Sequence, residues 1–142
     1  MFLKAIMVCD SVRLDIDGTM TLVGVYNERI VVPAATGGRP PAGASVRFSR
    51  LMFVTTVGGL AGVDRLRYRH TLRIVGAPAA LANDQLLQDE AHDPAADEHS
   101  FIFGDSPMDF PGEGSYELST QIEAAGQRAT YGYRFRIECA PN

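Results

Sequence analysis

Apolar and polar residues alternate along most of this chain with a period of two, and the 3.6-residue spacing of an amphipathic helix is hard to find. Within residues 63–75, Leu66, Tyr68, His70, Leu72 and Ile74 fall on one side, and Arg65, Arg67, Arg69 and Arg73 fall on the other. Such alternation sends the two sets to opposite faces of a sheet. Residues 19–27 behave alike, with Met20, Leu22 and Tyr26 opposed to Val23 and Val25. Residues 115–123 and 129–139 read as the arms of a hairpin turning at Ala124-Ala125-Gly126-Gln127. Tyr116, Leu118 and Ile122 alternate in the first arm, and Tyr131, Tyr133, Phe135 and Ile137 in the second. Ala5 to Cys9 is a continuous apolar run, which predicts a strand covered on both faces.

The punctuation between these segments is that of a β protein. Asp17-Gly18 tolerates positive φ and predicts a hairpin turn between residues 3–12 and 19–27. Arg29 to Val32 extends that unit up to Pro33, and the Gly/Pro stretch 34–44 excludes a helix. Residues 45–56 read as a strand, and the glycines of 57–62 lead into another strand. A phosphate-cradling loop opens a helix, so these glycines predict a plain connector. Residues 100–103 read as a strand and 104–114 as turns. Residues 77–98 admit either a short helix starting at Asn83 or Asp84, within 80–92, or a strand with an acidic loop. Seven or eight strands joined by Gly/Pro turns predict a single-domain antiparallel β-sandwich over residues 1–142, with a barrel as the other closure.

Composition narrows the class without naming an activity. Hydrophobic content of 46% and charged content of 21% suit a globular chain. No run of about eighteen apolar residues predicts a membrane-crossing helix, and the first residues carry no leader pattern, so a cytoplasmic location is expected. Cys9 and Cys139 sit near opposite ends, where neighbouring terminal strands could bridge them. The compartment rule favours two reduced thiols instead. Residues 1–73 carry ten basic and five acidic groups, whereas 74–127 carry eleven acidic groups and no Lys or Arg. That asymmetry suits either an acidic partner surface or attraction between two parts of one fold. A net charge of −4 argues against nucleic acid as the main partner.

Asp15-Ile16-Asp17-Gly18-Thr19 resembles the Asp-x-Asp-Gly-Thr signature of the haloacid-dehalogenase-like phosphatases. That resemblance implies Asp15 as nucleophile, Asp17 as general acid/base, Asp105 and Asp109 as holders of Mg²⁺, and Thr55 as a phosphate ligand. It also implies a parallel sheet with crossover helices and a lysine after the phosphate motif. This chain has only Lys4, and Thr19 runs straight into another strand, so the match reads as coincidence. A second metal reading brings Asp15, Asp17, Asp105 and Asp109 together at one end of a sandwich, as in Ca²⁺-binding C2-type domains.

Asp10, Gly18, Leu22, Gly24, Tyr26 and Pro33 match a different pattern over the first quarter of the chain. It resembles the opening of a group of small, uncharacterised bacterial β-rich proteins. That resemblance implies an all-β fold and no catalytic role, with the aspartates as turn residues. Among surface candidates, the Arg65, Arg67, Arg69 and Arg73 stripe, extended by Arg134 and Arg136, could hold phosphates or carboxylates bidentately. The competing reading is cross-strand pairing with carboxylates. Asp89, Glu90, His92, Asp93, Asp97, Glu98 and His99 form an acidic run without an ordered metal-ligand spacing, which reads as a mobile loop. His70 falls on an apolar face and reads as a hydrogen-bonded core histidine. The expectation is a non-enzymatic binding module, without cofactor, that takes a protein partner or a second copy.

Overall fold

The computed structural model describes residues 1–14, 16, 19–32, 45–83, 87–105 and 107–140. Every regular element among them is a strand: β1 Phe2–Leu14, β2 Met20–Tyr26, β3 Arg29–Val32, β4 Val46–Phe48, β5 Leu51–Gly58, β6 Arg65–Ile74, β7 Ala80–Asn83, β8 Gln88–Ala91, β9 His99–Asp105, β10 Met108–Phe110, β11 Gly114–Ala124 and β12 Gln127–Cys139. They form two stacked sheets. The first runs β2-β1-β5-β9, the second runs β3-β12-β11-β6-β7 with β8 also on β6, and the ribbon β10-β4 stands apart. All pairs are antiparallel except β12 with β3. The all-β sandwich expected from period-two patterning is the observed architecture.

The alternation chooses which side chains meet between the sheets. Phe53 on β5 and Phe135 on β12 bring their rings to 5.3 Å across the gap. Val8, Leu51, Leu72, Leu118 and Ile137 share this core, while Val57, Leu66, Phe101 and Ile122 form a second apolar cluster. The fully buried Thr55 and Thr120 hydroxyls meet at 3.2 Å between the sheets, so each polar group has a partner. His70, paired in register with Thr120, is buried and stacks on Phe103, as a core histidine should.

Several local readings need correction. The short helix within 80–92 is not present: Ala80–Asn83 and Gln88–Ala91 are short strands on the edge of β6, and residues 84–86 lie outside the described residues. Gln, Leu and Glu favour a helix weakly, but β6 offers an open ladder of backbone groups that satisfies these segments as strands. The strand expected over 45–56 breaks at Ser49-Arg50 into β4 and β5, which join different sheets. Twelve strands appear among the described residues rather than seven or eight, because β3, β4, β7, β8 and β10 are three or four residues long. Runs that short leave almost no periodic signal. The β11–β12 hairpin turns through Ala125 and Gly126, both at positive φ (47° and 77°), the geometry a two-residue I′ turn requires.

Candidate functional site

The pattern Asp10, Gly24 and Tyr26 acquires a physical meaning on the β1–β2 pair. Asp10 lies opposite Gly24, between the partners Cys9↔Val25 and Ser11↔Val23. Gly24 has φ of 67°, and a Cβ there would lie 2.3 Å from Asp10 Oδ2, so only glycine admits this carboxylate. Asp10 then accepts a hydrogen bond from the Tyr26 hydroxyl at 2.6 Å. That bond, followed by burial and the Asp10 charge, pushes the Tyr26 phenol up to about 12. The phenol ionises near its ordinary value of 10.0 when unfolded, so its contribution to stability is complete below pH 10 and lost as the pH rises towards 12. Absorbance titration at 295 nm should therefore show a late-ionising tyrosine that Tyr26→Phe removes. An unchanged curve in that variant would contradict the assignment. Beside the pair lies a cleft of about 470 Å³ lined by Ile30, Val32, Phe48, Arg47 and Arg50.

The phosphatase and calcium residues do not form a described cluster. Asp15, Asp17 and Gly18 lie outside the described residues, as does the Asp105 side chain. Asp109 sits on β10 and takes a bidentate pair from Arg47, at 2.7 and 3.0 Å. This hydrogen bonding holds its carboxyl below the usual carboxylate range. Thr55, the nominal phosphate ligand, is sealed in the core. Among the described residues no group of three or more His, Cys, Asp or Glu side chains is placed to hold a metal.

The acidic run is anchored. Leu60 and Gly62 donate backbone N–H groups to the carbonyls of Asp97 and Pro94, and His92 donates its own to Asp64. These bonds use amides of the 57–62 glycine connector that a phosphate would need. His92 is buried; its Nε2–H donates to Ala96 O at 3.0 Å, and its Nδ1 shares a hydrogen bond with His99 Nδ1 at 2.9 Å. Glu90 approaches His99 at the opposite ring nitrogen, Nε2, at 3.2 Å. The two histidines and Glu90 therefore string out in a line instead of converging on one point.

The two outer faces of the sandwich differ sharply in chemistry. On the β12-β11-β6 side, register places Arg73, Glu117 and Arg134 in one row, and Asp89, Arg67, Glu123 and Arg128 in another. Arg134–Glu117 closes to 2.9 Å, Arg128–Glu123 to 2.5 Å, and Arg67 lies 3.6 Å from Glu123 and 3.8 Å from Asp89. Arg69 donates to Gln121 at 3.0 Å. Arg136 and Arg29 share Glu138, and their hydrogen bonds, Arg29's first, hold its carboxyl below the usual range. Arg65, Arg67 and Arg128 also line a groove of about 490 Å³, but Asp89 and Glu123 stand inside it. The opposite charges of the two halves of the chain thus meet within one fold, as Lys4 with Glu98 and Arg47 with Asp109 also show.

The outer side of β2-β1-β5-β9 is of another kind. Register aligns Cys9 with Val25 and Met52, Met7 with Val54, Val54 with Ile102, and Ser11 with Val23. Met7, Val23, Val25 and Ile102 are 43, 49, 53 and 39% exposed. Cys9 and Val54 are buried on this side yet belong to neither core cluster, and burial pushes the Cys9 thiol up. Cys9 and Cys139 are both buried and form no disulfide. Sequence reasoning located the strands of this face but not its openness. The signal was present in Ala5–Cys9, whose continuous apolar run implies cover on both sides, while the described residues cover only one.

Among the described residues no helix is long and apolar enough to cross a membrane. Comparison with known proteins adds no relative: no family model matches the chain, and no curated protein matches it.

Proposed function

We propose that this chain is a non-enzymatic binding module that docks protein through the outer face of β2-β1-β5-β9. The observation that carries the reading is the contrast between the two outer faces. One pairs Arg67, Arg128 and Arg134 with its own carboxylates and Arg69 with Gln121, and the other exposes Met7, Val23, Val25 and Ile102 on neighbouring strands. Contiguous exposed apolar surface of this kind marks association sites in folded proteins. Two cysteines, Cys9 and Cys139, without a disulfide suit a reducing compartment such as the cytoplasm. The Mg²⁺-dependent phosphatase reading through Asp15 and Asp17 is less favoured, since the resemblance behind it implies crossover helices and the described elements are all strands.

The test is site-specific photo-crosslinking in living cells, with a benzophenone side chain at position 25 and, as control, at position 134. Protein adducts from position 25 that disappear with Ile102→Glu, and none from 134, are expected. Adducts from 134 alone would move the docking face to the arginine side and overturn the reading.

A further inference from the structure

We propose that the occupant of this apolar face is a second copy of the same chain, packed sheet on sheet about a two-fold axis; the inference rests on the docking reading above. Three observations select a copy over a different protein. The first is charge. Between Ala5 and Ser11 on β1, and across the aligned Val23, Val25, Met52, Val54, Thr56, Ser100 and Ile102, the centre of the face carries no charged side chain; Arg13, opposite Thr21, and the Lys4–Glu98 pair stand at its rim. A charged partner finds nothing here to complement, whereas an identical face meets it without like-charge opposition. Elsewhere two copies, each of net charge −4, repel. An isologous interface needs this self-compatibility, because each patch meets its own image.

The second observation is size. The four strands contribute 13, 7, 8 and 7 residues. At about 4.8 Å between strands and ~3.4 Å per residue they span roughly 570 Å² in plan. Relief of the Met, Val and Ile side chains adds to this, and only the whole face, uncharged centre and charged rim together, approaches the ~800 Å² per partner of a standard interface. The third is shape. A face whose Cys9 and Val54 already form a buried floor beneath Met7, Val25 and Ile102 offers rows of apolar side chains, which aligned β-sheets interdigitate at about 10 Å separation. The uninterrupted apolar runs of β1 and β5 then have the cover on both sides that their sequences imply.

Sedimentation velocity of the full chain across about 1–100 µM tests this directly. The expected result is a dimer, with Val25→Glu and Ile102→Glu each weakening it at least ~100-fold, since a two-fold interface carries every substitution twice. Both positions are exposed in the single chain, so thermal melts of the variants should match the wild type under monomeric conditions, confirming folded protein. Arg134→Glu, on the opposite face, should leave the dimer intact. A wild-type chain that stays monomeric at about 100 µM overturns this inference. If position 25 still captures protein in the cell, the docking reading survives alone; if it captures nothing, both fall. A dimer that persists in both glutamate variants also overturns it.

Discussion

Replacing Phe135 by alanine should cost about 3–5 kcal/mol of folding stability, the largest effect expected of any single core substitution here. Phe135 is 2% exposed and gathers four rings: Phe53 at 5.3 Å from the opposite sheet, Phe110 at 6.0 Å from the β10 ribbon, Tyr116 at 5.7 Å from β11 and Tyr133 at 6.0 Å on its own strand. Truncation removes the transfer free energy of a large side chain and leaves a cavity between two sheets whose backbones are held by their ladders and cannot close in. Each lost ring pair adds about 0.5–1.5 kcal/mol in favourable cases. A domain of this size is stable by about 5–15 kcal/mol in total, so the urea midpoint should fall by about a fifth or more. Phe135→Leu, which keeps most of the volume, should lose clearly less. A cost of under about 1.5 kcal/mol for the alanine variant would show that the rings do not hold the sheets together as described.

The second large effect is expected at Gly24, where Gly24→Ala should cost about 3–4 kcal/mol for one methyl group on a partly exposed strand. Positive φ alone costs a non-glycine residue roughly 1–2 kcal/mol. The new Cβ would also stand 2.3 Å from Asp10 Oδ2, so the carboxylate must swing away and release the Tyr26 hydroxyl. A hydrogen bond to a charged group is worth about 1.5–3 kcal/mol. The two parts are separable. In an Asp10→Ala background there is neither a carboxylate to displace nor a bond to lose, and Gly24→Ala should cost only the backbone share. Denaturant melts of the four proteins give the coupling energy between the two sites. Equal costs in both backgrounds would mean that Asp10 and Gly24 do not act as a unit.

That unit also shows how a sequence pattern can be legible before its reason is. Asp10, Gly24 and Tyr26 stood out by their resemblance to a family pattern, and nothing in that pattern said that a carboxylate crosses over a glycine to reach a phenol. The arginine stripe was visible by alternation alone: period two puts Arg65, Arg67, Arg69 and Arg73 on one face whatever the fold. Cross-strand pairing with carboxylates was one reading of that stripe, but not which carboxylates, because Glu117 and Glu123 lie some fifty residues away and reach the stripe only through the β6–β11 register. Residues 80–92 admitted either a short helix or a strand because their own propensities are weak, and the ladder that makes them strands belongs to β6. His92 and His99 looked like loop residues in an acidic run; the backbone bonds that pin His92, Pro94 and Asp97 to Asp64, Gly62 and Leu60, and the pairing of His99 with Val57, are also remote in the chain.

By itself the sequence determined the class of the fold, its strands of seven or more residues, the hairpin at Ala125-Gly126 and the two sides of each strand, since all of these follow from local alternation and turn chemistry. Only the tertiary structure decided which side became the core. It also set the parallel pairing of β3 with β12, the ribbon of β4 with β10, and the fate of the surplus apolar side of β1 and β5. Alternation marks two faces but does not say what will cover them. That depends on contacts between residues far apart in the chain, and on β2-β1-β5-β9 the described residues cover one face and leave the other open.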